Sequence, residues 1–169
     1  MLIGEAPGEQ EGLQGKPFVG KAGKNLTAFL QAVALPREQL YVSNVVKVRP
    51  TRISAAGRTV NRPPSREEIA FFSPWLQREI GLVRPRALVT LGNVALHALM
   101  GKELSIGACH GHWLTATVPV PAENTVTLSL FALYHPASVI YNRALETVYQ
   151  ADLQVLRQRL AQSGADMDS

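Results

Sequence analysis

The chain has 169 residues, 46% apolar and 18% charged, enough for one domain with a real core and too few for two comfortable ones. No run approaches the ~20 apolar residues of a membrane span, the start MLIGEAP lacks the basic and apolar regions of a secretory signal, and the single cysteine, Cys109, excludes both an internal disulfide framework and a four-cysteine metal site. A cytoplasmic protein without a membrane partner is expected, and the net charge of +4, with Lys16, Lys21, Lys24, Lys47, Arg49, Arg52, Arg58 and Arg62 in its first part, suits a polyanionic partner.

Leu2 and Ile3 read as the tail of a first strand, followed by the turn-rich run GEAPGEQEGLQGKPFVGKAG from Gly4 to Gly23. Leu26 to Leu35 has helical spacing, and the β-branched run Leu40 to Val48 (LYVSNVVKV) reads as a second strand. Arg49 to Pro64 lacks periodicity and reads as a basic loop, longer than the ~12–15 residues beyond which loops are usually functional or disordered. Ser65 opens a helix through a capping box, SREE, with Ile69, Phe72, Trp75, Leu76 and Ile80 on one face and a kink expected at Pro74. Ala87 to Leu91 is an apolar strand ending at Gly92, with the short helix NVALHALM after it. Trp113 to Val118 and Val126 to Tyr134 read as further strands, and Arg143 to Leu160 as a last helix. The alternation predicts one α/β domain over residues 1–162, its mostly parallel sheet covered on both faces, and a fraying tail over 163–169.

In such a sheet ligands gather outside the carboxyl ends of the strands. That rule selects Gly4 onward, Asn44 onward, Gly92, and Tyr134-His135-Pro136 for chemistry. Within the first of these, GKPFVGKA nearly spells a P-loop, but Ala22 lacks the hydroxyl that ligates magnesium, Pro17 removes a backbone donor, and no strand precedes Gly15. Cys109, His110 and His112 could offer metal ligands, yet alternate residues rarely close a site without a distant fourth.

GEAPGE, KPFVG, YVSNVVKVRP and YHPAS stand in order along the chain, and on them it resembles the uracil-DNA glycosylase superfamily, most of all the family-four branch, from Leu2 to about Leu160. The resemblance implies a three-layer α/β/α sandwich around a central four-stranded, mostly parallel sheet. It also implies hydrolysis of the bond joining uracil to deoxyribose, with uracil-containing DNA as partner, free uracil as product and base-excision repair as the setting. A nucleoid-associated monomer is expected.

The residue chemistry agrees. An asparagine amide can donate to O4 of uracil and accept from N3–H, a pattern that cytosine reverses, so a rigid Asn44 would reject cytosine by ~10⁴ or more; the plainer reading of Asn44 is a buried structural amide. Phe18 offers a flat face to an extruded base, and equally suits core packing. By resemblance, His135 donates to O2 as charge moves onto the departing base. Glu5 inherits the task of holding or deprotonating the attacking water, because Ala6 beside it occupies the position of an aspartate in the best-known branch. Ala6 is expected to touch substrate, whereas Glu9 and Glu11 read as solvated. Backbone amides around Gly8 and Gly20, with Lys21 and Ser138, are expected to grip phosphates, and Val139 and Ile140 to enter the minor groove as an apolar wedge.

Family-four members usually hold a four-iron, four-sulfur cluster through four cysteines. This chain has Val48 where KVRP would read KCRP and Ser73 where the helix cysteine would fall, so neither metal nor cofactor is expected. A related branch captures DNA covalently through a histidine of the basic loop, and Asn61 stands in its place. The alternative to an active glycosylase is a catalytically weak or inactive DNA- or uracil-binding member of the same superfamily.

Overall fold

Successive residues of a strand face opposite sides of its sheet, and in this chain both sides are apolar. The computed structural model describes residues 1–121 and 124–165, the last three as backbone only. Its elements are β1 (Leu2–Gly4), α1 (Glu9–Gln14), α2 (Lys21–Ala32), β2 (Val42–Asn44), β3 (Thr51–Ile53), β4 (Thr59–Asn61) and α3 (Arg66–Val83). Then follow β5 (Leu88–Leu91), α4 (Asn93–Met100), α5 (Ile106–Cys109), β6 (Trp113–Val120), β7 (Asn124–Leu133), α6 (Pro136–Tyr141) and α7 (Leu145–Ala165).

The main sheet has the order β2-β1-β5-β7-β6. Its first four strands run parallel, and β6 lies antiparallel to β7 at the edge. The expected α/β/α sandwich therefore forms with a fifth strand added to the parallel four. Leu2, Val89, Leu91, Phe131 and Leu133 pack on one side with Leu26 and Leu30 of α2 and Tyr149 and Leu153 of α7. Ile3, Leu88, Leu130 and Ala132 pack on the other with Leu76 and Ile80 of α3 and Leu96 of α4. Each fully buried large apolar side chain contributes roughly 1.5–3 kcal/mol, and the two layers fix the sheet from both faces.

Four local features differ from or extend the sequence reading. The basic loop is a β-hairpin, β3 paired antiparallel with β4 from Thr51↔Asn61 to Ile53↔Thr59. Part of the glycine-rich run coils into α1, closed by Gly15 in the left-handed region at φ 63°. Helix α3 continues through Pro74, whose missing N–H strands a carbonyl on an exposed face where water can satisfy it. Helix α7 extends to Ala165, past the expected start of the tail, and residues 166–169 lie outside the described residues. The capping box of α3 forms as read, with Ser65 Oγ accepting from the Glu68 N–H at 3.2 Å and Glu68 Oε2 from the Ser65 N–H at 2.7 Å. Among the described residues no helix is long and apolar enough to cross a membrane.

Candidate active site

Gly4 and Asn44 are register partners at the carboxyl ends of β1 and β2. Beyond them the chain stays tied, since Val45 N–H donates to the Gly4 carbonyl at 2.9 Å and Val46 N–H to that of Glu5 at 3.0 Å. A Cβ on Gly4 would lie 2.5 Å from both Asn44 Oδ1 and the Phe18 ring, so glycine is what allows those side chains to converge. Asn44 is 6% exposed, and its Oδ1 is buried without a hydrogen-bond partner. Its backbone is held from behind: Lys47 Nζ donates to the Asn44 carbonyl at 2.7 Å and to Glu79 at 2.5 Å, and Glu79 also accepts from the hydroxyls of Ser43 and Tyr41.

Phe18 is buried and sits at φ 52°, a left-handed conformation that costs a non-glycine residue roughly 1–2 kcal/mol. Two arrangements hold it there. Arg37 donates to the Phe18 carbonyl at 2.6 Å and to the Pro17 carbonyl, and Gly23 lies directly under the Phe18 backbone, where any Cβ would collide. Strain maintained by such surroundings is a recurrent mark of functional positions.

Glu11, expected to be solvated, is the hub of this wall. Its carboxylate accepts from the N–H groups of Val19 at 2.9 Å, Gly20 at 2.8 Å and Gly8 at 3.1 Å. Burial opposes its ionisation, but these donors outweigh burial and hold its pKa below the ordinary carboxylate value. The donors lie three to nine residues away and belong to the backbone, so no side-chain motif announces them. They also correct an expectation: the N–H groups of Gly8 and Gly20 turn inward to Glu11 and are not open to a phosphate.

His135 follows β7 and caps α6. Its Nδ1 accepts from the Ala137 N–H at 3.1 Å, which leaves the proton of the neutral ring on Nε2. Burial lowers its pKa to about 4, so the ring is neutral at physiological pH. The His135 and Phe18 rings lie 5.9 Å apart, and Gly92, at φ 86°, brings the turn after β5 against the His135 Cβ. Glu5 is partly buried, and that burial raises its pKa.

These groups share one cleft of about 660 Å³, whose walls include Glu5, Ala6, Phe18, Asn44 and His135. Gly8, Gly20 and the exposed Lys21 line it too, as do Ile140, Pro50, Asn61 and Arg62. Ser138 is not among its lining residues, and the Ser138 N–H donates to the His135 carbonyl at 2.8 Å. Val139 is 5% exposed and packs in the core with Phe29 and Tyr149, so it cannot project from the surface as a wedge. Ile140, 40% exposed, remains at the rim with Tyr141, which is 89% exposed and was not singled out in the sequence. An aromatic two residues past a core position in a short helix was the available signal. A second, largely apolar cavity of about 420 Å³ lies at the amino ends of the strands, near Met1, Tyr41 and Ala87, remote from these groups.

The positions that would carry cluster ligands do not suit a metal cluster. Val48 has no ligating atom, and the Ser73 hydroxyl donates to the Ile69 carbonyl at 2.8 Å. Among the described residues no group of three or more His, Cys, Asp or Glu side chains could hold an ion.

A cleft at the carboxyl ends of parallel strands, with an aromatic wall, a stranded amide acceptor, a neutral imidazole and a partly buried carboxyl group, suits a planar hydrogen-bonding ligand. The family comparison agrees: residues 1–157 match the model of the uracil DNA glycosylase superfamily, and the chain belongs to that superfamily. It is 35% identical to a type-4 uracil-DNA glycosylase of Saccharolobus solfataricus, over all of this chain and 74% of that protein. It is 36% identical to one from Pyrobaculum aerophilum, over 90% of this chain and 74% of the relative. A type-5 uracil-DNA glycosylase of Pyrobaculum aerophilum is 32% identical over 97% of this chain and 72% of its own length.

Proposed function

We propose that the chain is a uracil-DNA glycosylase that extrudes uracil from DNA into the cleft and hydrolyses its N-glycosidic bond, the first step of base-excision repair. Phe18 stacks on the base, and Asn44 pairs with O4 and N3–H. His135 donates from Nε2 to O2, where negative charge develops. The C1′–N1 bond breaks with its electron pair passing to uracil, the oxygen of a water bonds to C1′, and the water's proton goes to the Glu5 carboxylate. The products are an abasic sugar and free uracil.

The observation that carries this reading is the unpartnered Oδ1 of Asn44. An orphaned buried acceptor costs roughly 1–3 kcal/mol, a cost that a ligand N–H at that place relieves. The test is single-turnover cleavage of a uracil-containing oligonucleotide, read as alkali-labile strand breaks. Product is expected with the native chain, with losses of about 10²-fold or more for Glu5→Ala and His135→Ala. Uracil-dependent binding without product would select the non-catalytic alternative, and no dependence on uracil would overturn both.

A further inference from the structure

Helix α3 is apolar on two faces. One, with Ile69, Phe72, Leu76 and Ile80, packs into the core. The opposite face of a surface helix is ordinarily polar, yet Ala70, Phe71, Pro74, Trp75 and Leu82 all lie exposed there, with Phe71 67% and Trp75 55% open to solvent. Because successive residues of a helix turn by about 100°, these positions fall with the exposed Glu67 and Arg78 in one stripe. None of them lines the cleft.

The stripe holds a free acceptor and a free donor. Pro74 has no N–H, so the Ala70 carbonyl lacks the bond that a helix gives from four residues on. The Trp75 indole supplies an N–H that no described residue accepts. A two-fold axis passing α3 midway between Phe72 and Ser73 sets two copies antiparallel and matches 67 with 78, 70 with 75 and 71 with 74. Each match is complementary. The Glu67 carboxylate meets the Arg78 guanidinium, the small Ala70 with its stranded carbonyl meets the indole, and the Phe71 ring meets that of Pro74. A parallel pairing would instead set Glu67 against Glu67 and Arg78 against Arg78, which favours the two-fold arrangement.

We propose that this face of α3 is a self-complementary interface through which two copies of the chain form an antiparallel, two-fold dimer, in place of the monomer expected from the sequence. The proposal is independent of the glycosylase reading. An isologous contact uses the same patch on both copies, so the aromatic centre is covered twice and the two charge pairs flank it. A patch one helix wide stands at the small end of specific interfaces, which bury roughly 1,200–2,000 Å² in all. The dimer is therefore reversible and forms as concentration rises, with the charge pairs fixing its register.

The test is analytical sedimentation of the full chain without DNA, over a concentration series reaching the limit of solubility. The native mass is expected to rise from 18.4 kDa toward twice that value. Trp75→Glu is expected to stay monomeric throughout, with unchanged circular dichroism at the most dilute point, because an exposed side chain supports no core. Two further variants test the register. Arg78→Glu and Glu67→Arg each place like charges opposite one another at both ends of the contact, and each alone is expected to dimerise about tenfold more weakly than the native chain. Mixed in equal amounts they restore both opposite-charge pairs, in the mixed dimer only, and association is expected to return. A native chain that remains at 18.4 kDa at its highest concentration overturns the proposal. So does a Trp75→Glu variant that dimerises as the native chain does, and so does a mixture that associates no better than its two components.

Discussion

Glu5 is a carboxyl group in a place that disfavours its charge. With a raised folded-state pKa, the folded chain holds the proton more tightly than the unfolded chain does, so ionisation of Glu5 at neutral pH opposes folding. Glu5→Gln should therefore raise the thermal midpoint at pH 7 to 8 while lowering single-turnover cleavage by about 10²-fold or more. The stability gain should shrink as pH falls and the native carboxyl protonates. A glutamine variant less stable at pH 8 would mean that a partner compensates the charge. His135 has the opposite dependence. Its folded value of about 4 lies below the ordinary 6.5, so the unfolded chain takes up the proton first. The contribution of the neutral ring is complete above pH 6.5 and is lost as pH falls toward 4, on the order of 3 kcal/mol at most. Denaturant titrations at pH 7 and 4.5 should show that loss in the native chain and not in His135→Gln. Asn44, Phe18, Glu5 and His135 were legible as candidates because their side-chain types match the chemistry of a uracil pocket. Glu11 was not, because its partners are backbone donors brought to it by the start of α1 and by the turn between α1 and α2.

At the scale of elements, the hairpin and α6 differ most from their sequence reading. Three-residue strands around SAAG carry too short a pattern to separate from a loop, and the hairpin owes its place to the paired Arg62–Glu68 contact. The Arg62 bond first, and then the Ser65 N–H, hold the Glu68 pKa at about 2, so this attachment persists through the acidic range. Arg62→Ala should speed hydrogen exchange of the amides in 51–61 and weaken DNA binding more than it slows the chemical step. Unchanged exchange there would show that strand pairing alone holds the hairpin. In α6, apolar type suggested Val139 and Ile140 together, but helical geometry turns the first into the core. We expect Tyr141→Ala to lose affinity for double-stranded uracil DNA while sparing single-stranded substrate, because a side chain that opens a base step matters only where bases are stacked. Equal losses on both substrates would remove the wedge role.

For the molecule as a whole, four parallel strands bring Gly4, Asn44 and His135, residues up to 131 positions apart, to one end of one sheet. The basic segment closes onto it through its own contacts: β3 and β4 pair with each other and Arg62 anchors them. The purified protein is accordingly expected to be colourless and to keep its thermal midpoint in strong chelator. Stoichiometric iron, or unfolding on chelation, would overturn that expectation. The sequence by itself determined the layered α/β class, through apolar residues on both faces of its strands, and membership of the superfamily, through motifs in a recognisable order. Only the tertiary structure decided which donors were free. Gly8 and Gly20 turned inward to Glu11 and Val139 went to the core, because hydrogen bonds between distant segments depend on where backbone and side chains meet in space.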